Sequence, residues 1–460
     1  MEFTKFGKAL LMGALSAGVV FGVTSCVRSY TVGYLYVTGT ETAGSGNDGI
    51  ISGFKIDHNT GRLTKINGLP VSSNGANPVR AVLVTSSRFL YVLNRGVNAE
   101  GNGDCTPADP CQNANITQFV VGGNGILTYQ ETSYTQGINP FRLIGDSSGS
   151  YLFVLDHDSP DNASPSSNDG CARALAGAET CGDITIFQIN QTTGRLSLVL
   201  NTQVTAASGS QLTYFPVPAN PVDLVLAGGY VFTLYGTTTP TSFPYTGGSA
   251  VWPYSYNATS GQLTVSQNGS QQLGIQQGNA IVSASNVIYV LDNEPVTIVP
   301  SGPNPPYSGP YPGQILPFSS GIGGALLAET TGVIPDDSLL ANPIQLLVES
   351  KGSYLYVANQ GNNVTGTNAP GSGIAAYLIT SSSGYQTSFV GGEPFGSGSG
   401  PQCIVEDPSD QLIYEANEYD SSVTGRILDP TSGELKGMTV TSSYTLPGQP
   451  TWCLVDGRTG

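Results

Sequence analysis

Short apolar runs and polar turns alternate along almost the whole chain. Residues 400–436, GPQCIVEDPSDQLIYEANEYDSSVTGRILDPTSGELK, show the pattern most plainly. A Gly-Pro step leads into Ile404 and Val405. A polar turn from Asp407 to Asp410 follows. Leu412, Ile413 and Tyr414 make a second run, closed by Asn417-Glu418. A third run, Ser422 to Leu428, meets a turn at Gly433, and Leu435 opens a fourth. Runs of this length, rich in Val, Ile and Tyr and bounded by Gly, Pro, Asp and Ser, are strand signals. Four in succession predict an antiparallel meander, the unit of a propeller blade.

The same stretch recurs through the chain, and three markers follow it. An aromatic in the second strand falls at Tyr36, Tyr91, Phe153, Phe232, Tyr289, Tyr356 and Tyr414. A hairpin glycine before the fourth strand falls at Gly61, Gly125, Gly194, Gly261, Gly324, Gly384 and Gly433. A proline leading the first strand falls at Pro78, Pro140, Pro221, Pro343, Pro401 and Pro450, with Ala280 in the remaining place. Each series has seven members. Repeats of this length call for a propeller or solenoid, with unequal spacing absorbed by loops. The chain begins at a second strand (Tyr34 to Val37) and stops after a first strand (residues 449–457). The last strand then completes the first blade, which removes an open sheet edge. The expected fold is all-β: a seven-bladed β-propeller of four-stranded antiparallel blades, its ring closed by the C-terminal strand.

Composition agrees with loop-rich β structure. The 460 residues include 60 Gly and 30 Pro, and only 10% are charged. The formal net charge is −16. That excludes the cationic footprint of a nucleic-acid binder and disfavours direct contact with anionic lipid.

The N-terminus predicts export. Lys5 and Lys8 precede an apolar stretch, Ala9 to Val23, of signal-peptide length. It ends in Val23-Thr24-Ser25-Cys26, which resembles the bacterial lipobox, whose Cys becomes the lipidated first residue. This divides the chain into a leader (1–25) and a single mature propeller domain (26–460) held at a membrane by acyl chains. Six cysteines remain, an even number suited to an oxidising compartment. Cys105–Cys111 and Cys171–Cys181 each bracket a short loop and make the simplest pairing. Cys403 and Cys453 stand in successive first strands (CIVED and CLVDG). They either pair, if their Cα atoms come within about 7 Å, or serve as small buried hydrophobes.

Candidate chemistry gathers where the repeats place polar residues on one face. Pairs follow the second strands: Asn94-Arg95, Asp156-His157, Asn293-Glu294 after Asp292, Asn359-Gln360 and Asn417-Glu418. Polar residues also follow the leading prolines: Arg80, Arg142, Asp223, Gln345 and Gln402. First strands of propellers line the central channel. Arg80, Arg142, Asp223, Gln345, Gln402, His157 and Glu418 therefore form one candidate constellation at a channel mouth, or else simply wet its wall. The run Asp156, Asp158, Asp161 fits no EF-hand spacing and reads as a solvated loop, so no metal is assigned. No nucleophile elbow, zinc-binding His pair, Walker loop or dinucleotide fingerprint stands out, and no cofactor is implied.

The repeats resemble the seven-bladed lactonase-like propeller family, which includes 6-phosphogluconolactonases and muconate-lactonising propellers. The carriers are YLYVTGT, GFKIDHNTGRLT, NPVRAVLVTSSRFLYVLNRG and GPQC…YEANEYDSSVT, across roughly residues 31 to 457. The resemblance implies an Arg, a His and a Glu around the channel mouth. The Glu position is Glu418. The Arg and His positions hold Gln402 and Cys403, and the family's other His-bearing step reads Asn139-Pro140-Phe141.

Three functions are open on these grounds. One is a binding or scaffold module of the cell envelope, taking a glycan, peptide or protein on its loop-rich face. The second is a lactone hydrolase with an altered site, in which Glu418, His157 and Gln402 are the catalytic candidates and Arg80, Arg142, Asp223 and Gln345 bind. The third is a purely structural envelope protein. The export reading has its own test: Cys26→Ala is expected to yield a protein without acyl label, released from membranes. A variant that still carries acyl chains would contradict it.

Overall fold

The computed structural model describes residues 30–457 apart from 42–47, 85–87, 102–104, 106–108, 176, 237–247, 267, 269–270, 272, 295–310, 330–333, 363–370, 381–385 and 440. The leader, Cys26 and Gly384 lie outside these residues. Seven antiparallel sheets stand around a ring. Their innermost strands are Gly448–Asp456, Pro78–Val84, Ile138–Gly145, Pro221–Ala227, Gly278–Ala284, Pro343–Val348 and Pro401–Glu406, for blades 1 to 7 in that order. Each of the seven inner strands lies beside the next around the ring. The C-terminal strand pairs with Thr31–Glu41, so blade 1 is built from both ends of the chain. Blades 1, 3, 5 and 7 also carry a short fifth strand, such as Ser443–Thr445 against Ser422–Leu428. Among the described residues, helix is confined to Pro160–Ala163, Gly170–Ala174 and Ile322–Gly324, and none is long and apolar enough to cross a membrane.

The second strands form the core. Phe89–Asn94, Tyr354–Asn359 and Leu412–Asn417 are buried at every residue. Side chains alternate across a strand, so alternate residues face opposite neighbours. Leu90 and Val92 pack with Tyr36 and Ile51 of blade 1, while Tyr91 and Leu93 pack with Leu143 and Leu152 of blade 3. Each such side chain contributes about 1.5–3 kcal/mol by its burial. The inner strands show a different rhythm, one buried position to two half-buried ones, as expected beside a channel.

The aromatic and glycine series meet physically. All seven aromatics are fully buried. Tyr36 donates its hydroxyl to the Gly125 carbonyl of the next blade at 2.7 Å, Tyr91 to Gly194 at 2.6 Å, Tyr356 to Gly433 at 2.8 Å and Tyr414 to Gly61 at 2.7 Å. Where the aromatic is Phe153, Tyr151 reaches Thr259 O at 2.7 Å instead. Where it is Phe232, Tyr230 accepts from Gly323 N at 2.9 Å. The six described hairpin glycines have φ between 68° and 81°, the left-handed region where a side chain is strained. At Gly433 an added Cβ would also run into the Tyr354 ring.

Every inner strand carries a register shift just after its leading residue, a β-bulge repeated seven times. The bulge corrects two positions. Gly278, not Ala280, takes the proline's place in blade 5: it pairs with Asp292 as Pro78 pairs with Asn94, and Ala280 sits opposite Leu291 as Arg80 sits opposite Leu93. Cys403 and Cys453 are one residue out of step, because Cys403 aligns with Trp452. They are nonetheless bonded, with Cα atoms 5.9 Å apart. Cys105–Cys111 and Cys171–Cys181 pair as expected, with Cα separations of 5.2 and 5.6 Å. Three disulfides agree with an oxidising, exported setting.

Cys403–Cys453 ties the inner strand of blade 7 to the closing strand across 50 residues. Replacing both by Ser is expected to lower the unfolding free energy by about 3–4 kcal/mol. Removing residues 448–460 should lower it further, both effects being read by urea unfolding. A truncated chain that unfolds like its parent would contradict closure by the C-terminal strand.

Candidate functional site

The repeats fix which polar residues reach the channel mouth. The second strand ends at Asn94, Asp292, Asn359 or Asn417, with Asp156 at the corresponding position of the longer strand Tyr151–Asp158, and each of these five is fully buried. The sequence pattern predicts these five on one face of the disc; they are instead carried inward by strand alternation. Asn94 and Asp292 pin the connection arriving from the previous blade. Asn94 Nδ2 donates to Ser73 O at 3.2 Å, and Asp292 accepts from the Gln276 and Gln277 amides at 3.1 and 2.7 Å. The residue after each one donates its backbone N–H to the residue ahead of the inner strand: Arg95 to Asn77 O, Gln360 to Asn342 O and Glu418 to Gly400 O, at 2.7–2.9 Å. Arg95, His157, Asn293, Gln360 and Glu418 are left half-buried at the rim.

Two groups result. Blades 1 to 4 carry the cations. Arg142 Nε lies 3.0 Å from Asp223 Oδ1, and the second Asp223 oxygen accepts from the Ile281 amide at 3.1 Å. Arg80 lies over the Trp452 ring, 3.7 Å from its centroid, a cation–π contact between adjacent inner strands. Burial and the nearby Arg142 hold the Arg80 guanidinium well below its ordinary range, with Asp223 acting in the opposite sense. His157 stacks on Phe141 with centroids 4.0 Å apart. Burial, Arg95 and Arg142 push its imidazole down to about 4, so the ring is neutral at neutral pH.

Blades 6 and 7 carry amides and one carboxylate. Gln360 Nε2 donates to Glu418 Oε2 at 2.7 Å and to Gln402 Oε1 at 2.9 Å, while its own oxygen accepts from Asn342 Nδ2 at 2.8 Å. Burial raises the Glu418 carboxyl above its ordinary value, and the Gln360 donor works against that rise. Gln345 Oε1 accepts from the Ile404 amide at 3.0 Å.

The structure therefore brings Arg80, Arg142 and Asp223 together with His157, and Gln402 together with Glu418. Among the described residues no hydrogen bond links Glu418 to His157, and their blades, 7 and 3, are three apart around the ring. Gln402 also sits one residue earlier than Arg80, Arg142 and Gln345, at the bulge itself, because it directly follows its proline. Cys403 is fully buried and bonded to Cys453. Asp156 is fully buried rather than part of a solvated loop. Trp452 escaped the sequence reading as a site member, whereas Gln360 and Arg95 are among the polar pairs read after the second strands but outside the seven-residue constellation. Gln360 and Arg95 hold the same repeat position as Glu418 and His157. Trp452 holds that of Arg80, two residues after its proline.

Two other features are distinct from the mouth. Ligand atoms of Asp161, Asp169 and Cys171 lie within 4.8 Å of one another. Asp161 is taken up by the Tyr214 hydroxyl at 2.6 Å and the Cys171 amide at 3.1 Å, Asp169 caps the helix Gly170–Ala174, and Cys171 is in a disulfide. The group is a structural knot. A cleft of about 530 Å³ opens between blades 3 and 4 at the other end of the inner strands, beside Ile144, Leu226, Tyr230 and Tyr256.

Comparison with known proteins agrees with this architecture. Residues 47–164 match the family model described as lactonase, 7-bladed beta-propeller. No curated protein matches the chain. Among solved structures, a putative 6-phosphogluconolactonase from Bacteroides fragilis is similar at 14% identity and a TM-score of 0.61, over 92% of this chain and 98% of that one. A second putative 6-phosphogluconolactonase, from Bacteroides uniformis, is similar at 14% identity and 0.59, over 92% and 99%. A periplasmic gluconolactonase from Pseudomonas aeruginosa is similar at 16% identity and 0.58, over 92% and 99%. In fold, the chain is a lactonase-like seven-bladed β-propeller.

Proposed function

We propose that this chain is an exported, lipid-anchored binding module of the cell envelope, and that its channel mouth is the ligand site. Residues 1–25 serve as leader, and Cys26 carries the anchor of the mature domain, 26–460. The reading rests on one observation above the others: the groups that lactone hydrolysis would use are distributed over different blades. Opening a lactone takes a base for water and a donor or cation for the developing oxyanion at the same carbon. Here the carboxylate of Glu418 belongs to an amide cluster in blades 6 and 7, whereas the cations and His157 belong to blades 1 to 4. Cys403, at the family's His position, is consumed in a disulfide. A rim with cations on one side and amides on the other suits a polar ligand that presents an anionic group to Arg142 and hydroxyls or amides to Gln360 and Gln402. Glycans and peptides both meet that description.

A second reading, lactone hydrolysis, is favoured by Glu418 itself. Burial raises its carboxyl toward the range useful for a general base. The similar structures named as gluconolactonases add to this reading by fold analogy alone.

The two readings separate in one experiment. Purified protein is expected to leave sugar lactones at their uncatalysed rate of opening. It is also expected to bind acidic oligosaccharides or acidic peptides by calorimetry, with affinity falling about tenfold or more in Arg142→Ala, as for loss of a charge-assisted contact. Lactone turnover that Glu418→Gln abolishes would replace the binding reading with the second.

A further inference from the structure

In blades 2, 5 and 7 the last residue of the second strand faces the first residue of the third, and Asp156 and Asp183 are the corresponding cross-strand pair in blade 3. The repeats allow the pair to be compared with itself. In blade 2, Asn94 is opposite Asn115, and its Nδ2 donates to Asn115 Oδ1 at 2.9 Å. In blade 5, Asp292 is opposite Gln314, whose Nε2 donates to Asp292 Oδ2 at 3.3 Å. In blade 7, Asn417 is opposite Ser422, and its Nδ2 donates to Ser422 Oγ at 3.1 Å. A donor meets an acceptor each time.

Blade 3 breaks the rule. Asp156 is opposite Asp183, and both are fully buried. The Thr135 hydroxyl donates to Asp156 Oδ2 at 2.6 Å, and the Thr185 hydroxyl lies 3.3 Å from Asp156 Oδ2 and from Asp183 Oδ1. Asp156 Oδ1 and Asp183 Oδ2 meet no donor at hydrogen-bonding geometry, and the Gly137 N–H of the connection acts on the Asp156 carboxyl in the sense that favours its ionised form. A Cβ on Gly137 would collide with both carboxyls, so the connection 135–137 lies directly on the pair. From the neighbouring insert the charged group acting on Asp183 is Asp161, another carboxylate, with the Tyr214 hydroxyl beside it. Two ionised carboxylates held cross-strand out of water repel strongly and leave unmatched acceptors. One proton held between them supplies the donor that an amide provides in blades 2, 5 and 7.

We propose that Asp156 and Asp183 share a single proton, and that this proton latches the connection 135–137 beneath the channel mouth. The connection runs on into Phe141 and Arg142, and His157 follows Asp156 in the chain. Loss of the proton therefore loosens the cationic side of the mouth. Burial supports the assignment by raising Asp156 to about 7 and Asp183 well above the usual carboxylate range. Both folded-state values lie above the unfolded ones. Stability from the pair is thus complete below the ordinary carboxylate range, and it is lost as pH rises through the raised folded-state values, of which that of Asp156 is about 7. The inference does not depend on which ligand the mouth takes.

Asp183→Asn restores the donor–acceptor pairing of blade 2 and tests the latch. The parent is expected to show a protonated-carboxyl infrared band at about pH 6 that fades as the pH is raised through the titration of the pair. Over the same interval its unfolding free energy should fall, and the His157 signal of protein labelled at its two histidines, His58 and His157, should shift. In Asp183→Asn the part of the band due to the pair should be absent at about pH 6, with a flatter stability profile and a static His157 signal. Asp156→Asn is expected to behave alike in stability. An infrared band identical in parent and Asp183→Asn overturns the shared proton. A His157 signal that moves equally in both overturns the coupling to the mouth. Stabilisation of the parent by added calcium, with loss of the band, overturns it in favour of a cation.

Discussion

A buried tyrosine hydroxyl reaches from one blade into the hairpin of the next, and the ring depends on that bond being repeated. It joins blade 1 to 2, 2 to 3, 6 to 7 and, through Tyr414 and Gly61, 7 back to 1. The bond fixes height as well as contact. Apolar second strands can slide past one another at little loss, whereas a hydroxyl displaced from its carbonyl leaves a buried acceptor unpaired, at roughly 1–3 kcal/mol. Blades 3 and 4 have phenylalanine at the series position, and there Tyr151 and Tyr230, two residues earlier, take up the role. That substitution within the repeat argues that the bond, rather than the particular residue, is what the ring requires.

A ring held in register makes every blade present the same few positions at the same height. Variation at those positions then writes the site. The residue after each second strand is Arg95, His157, Asn293, Gln360 or Glu418, and the residue two after each leading position is Arg80, Arg142, Asp223, Ala280, Gln345, Cys403 or Trp452. Because neighbouring blades are adjacent in sequence order, charge becomes sorted around the mouth. Arg142 finds Asp223 in the next blade, Arg80 finds Trp452 in the previous one, and Gln360 finds Gln402 and Glu418 in the next. The site is a pattern around a rim and not a cluster within one loop.

Much of the fold was legible from the chain alone, for a physical reason. The buried aromatic in every blade and the left-handed glycine in the six described hairpins answer the same repeated need, so they recur, and recurrence is visible without coordinates. That the two series bond to each other across blades was not visible, since it depends on which blade comes next in space. The bulge in each inner strand hid more. It shifts the count after the leading residue, so Gln402 looked equivalent to Arg80, Ala280 took the place of Gly278, and Trp452 was overlooked. Alternation misplaced Asn94, Asp156 and Asn417 in the same way: they are polar and lie at or near the end of a strand, yet they point inward. Glu418 and His157 are at like positions in their repeats, and each takes its partners within its own part of the rim.

The central claim, that interblade tyrosine bonds couple the whole ring, is tested most directly by amide hydrogen exchange on the parent and on Tyr414→Phe. That change removes the bond closing blade 7 onto blade 1 and leaves the aromatic packing in place. The account predicts that protection falls together around the ring, so that amides of Pro221–Ala227, in blade 4 on the far side, exchange faster by the same factor as those of Pro401–Glu406. Loss of protection confined to blades 7 and 1 would contradict it.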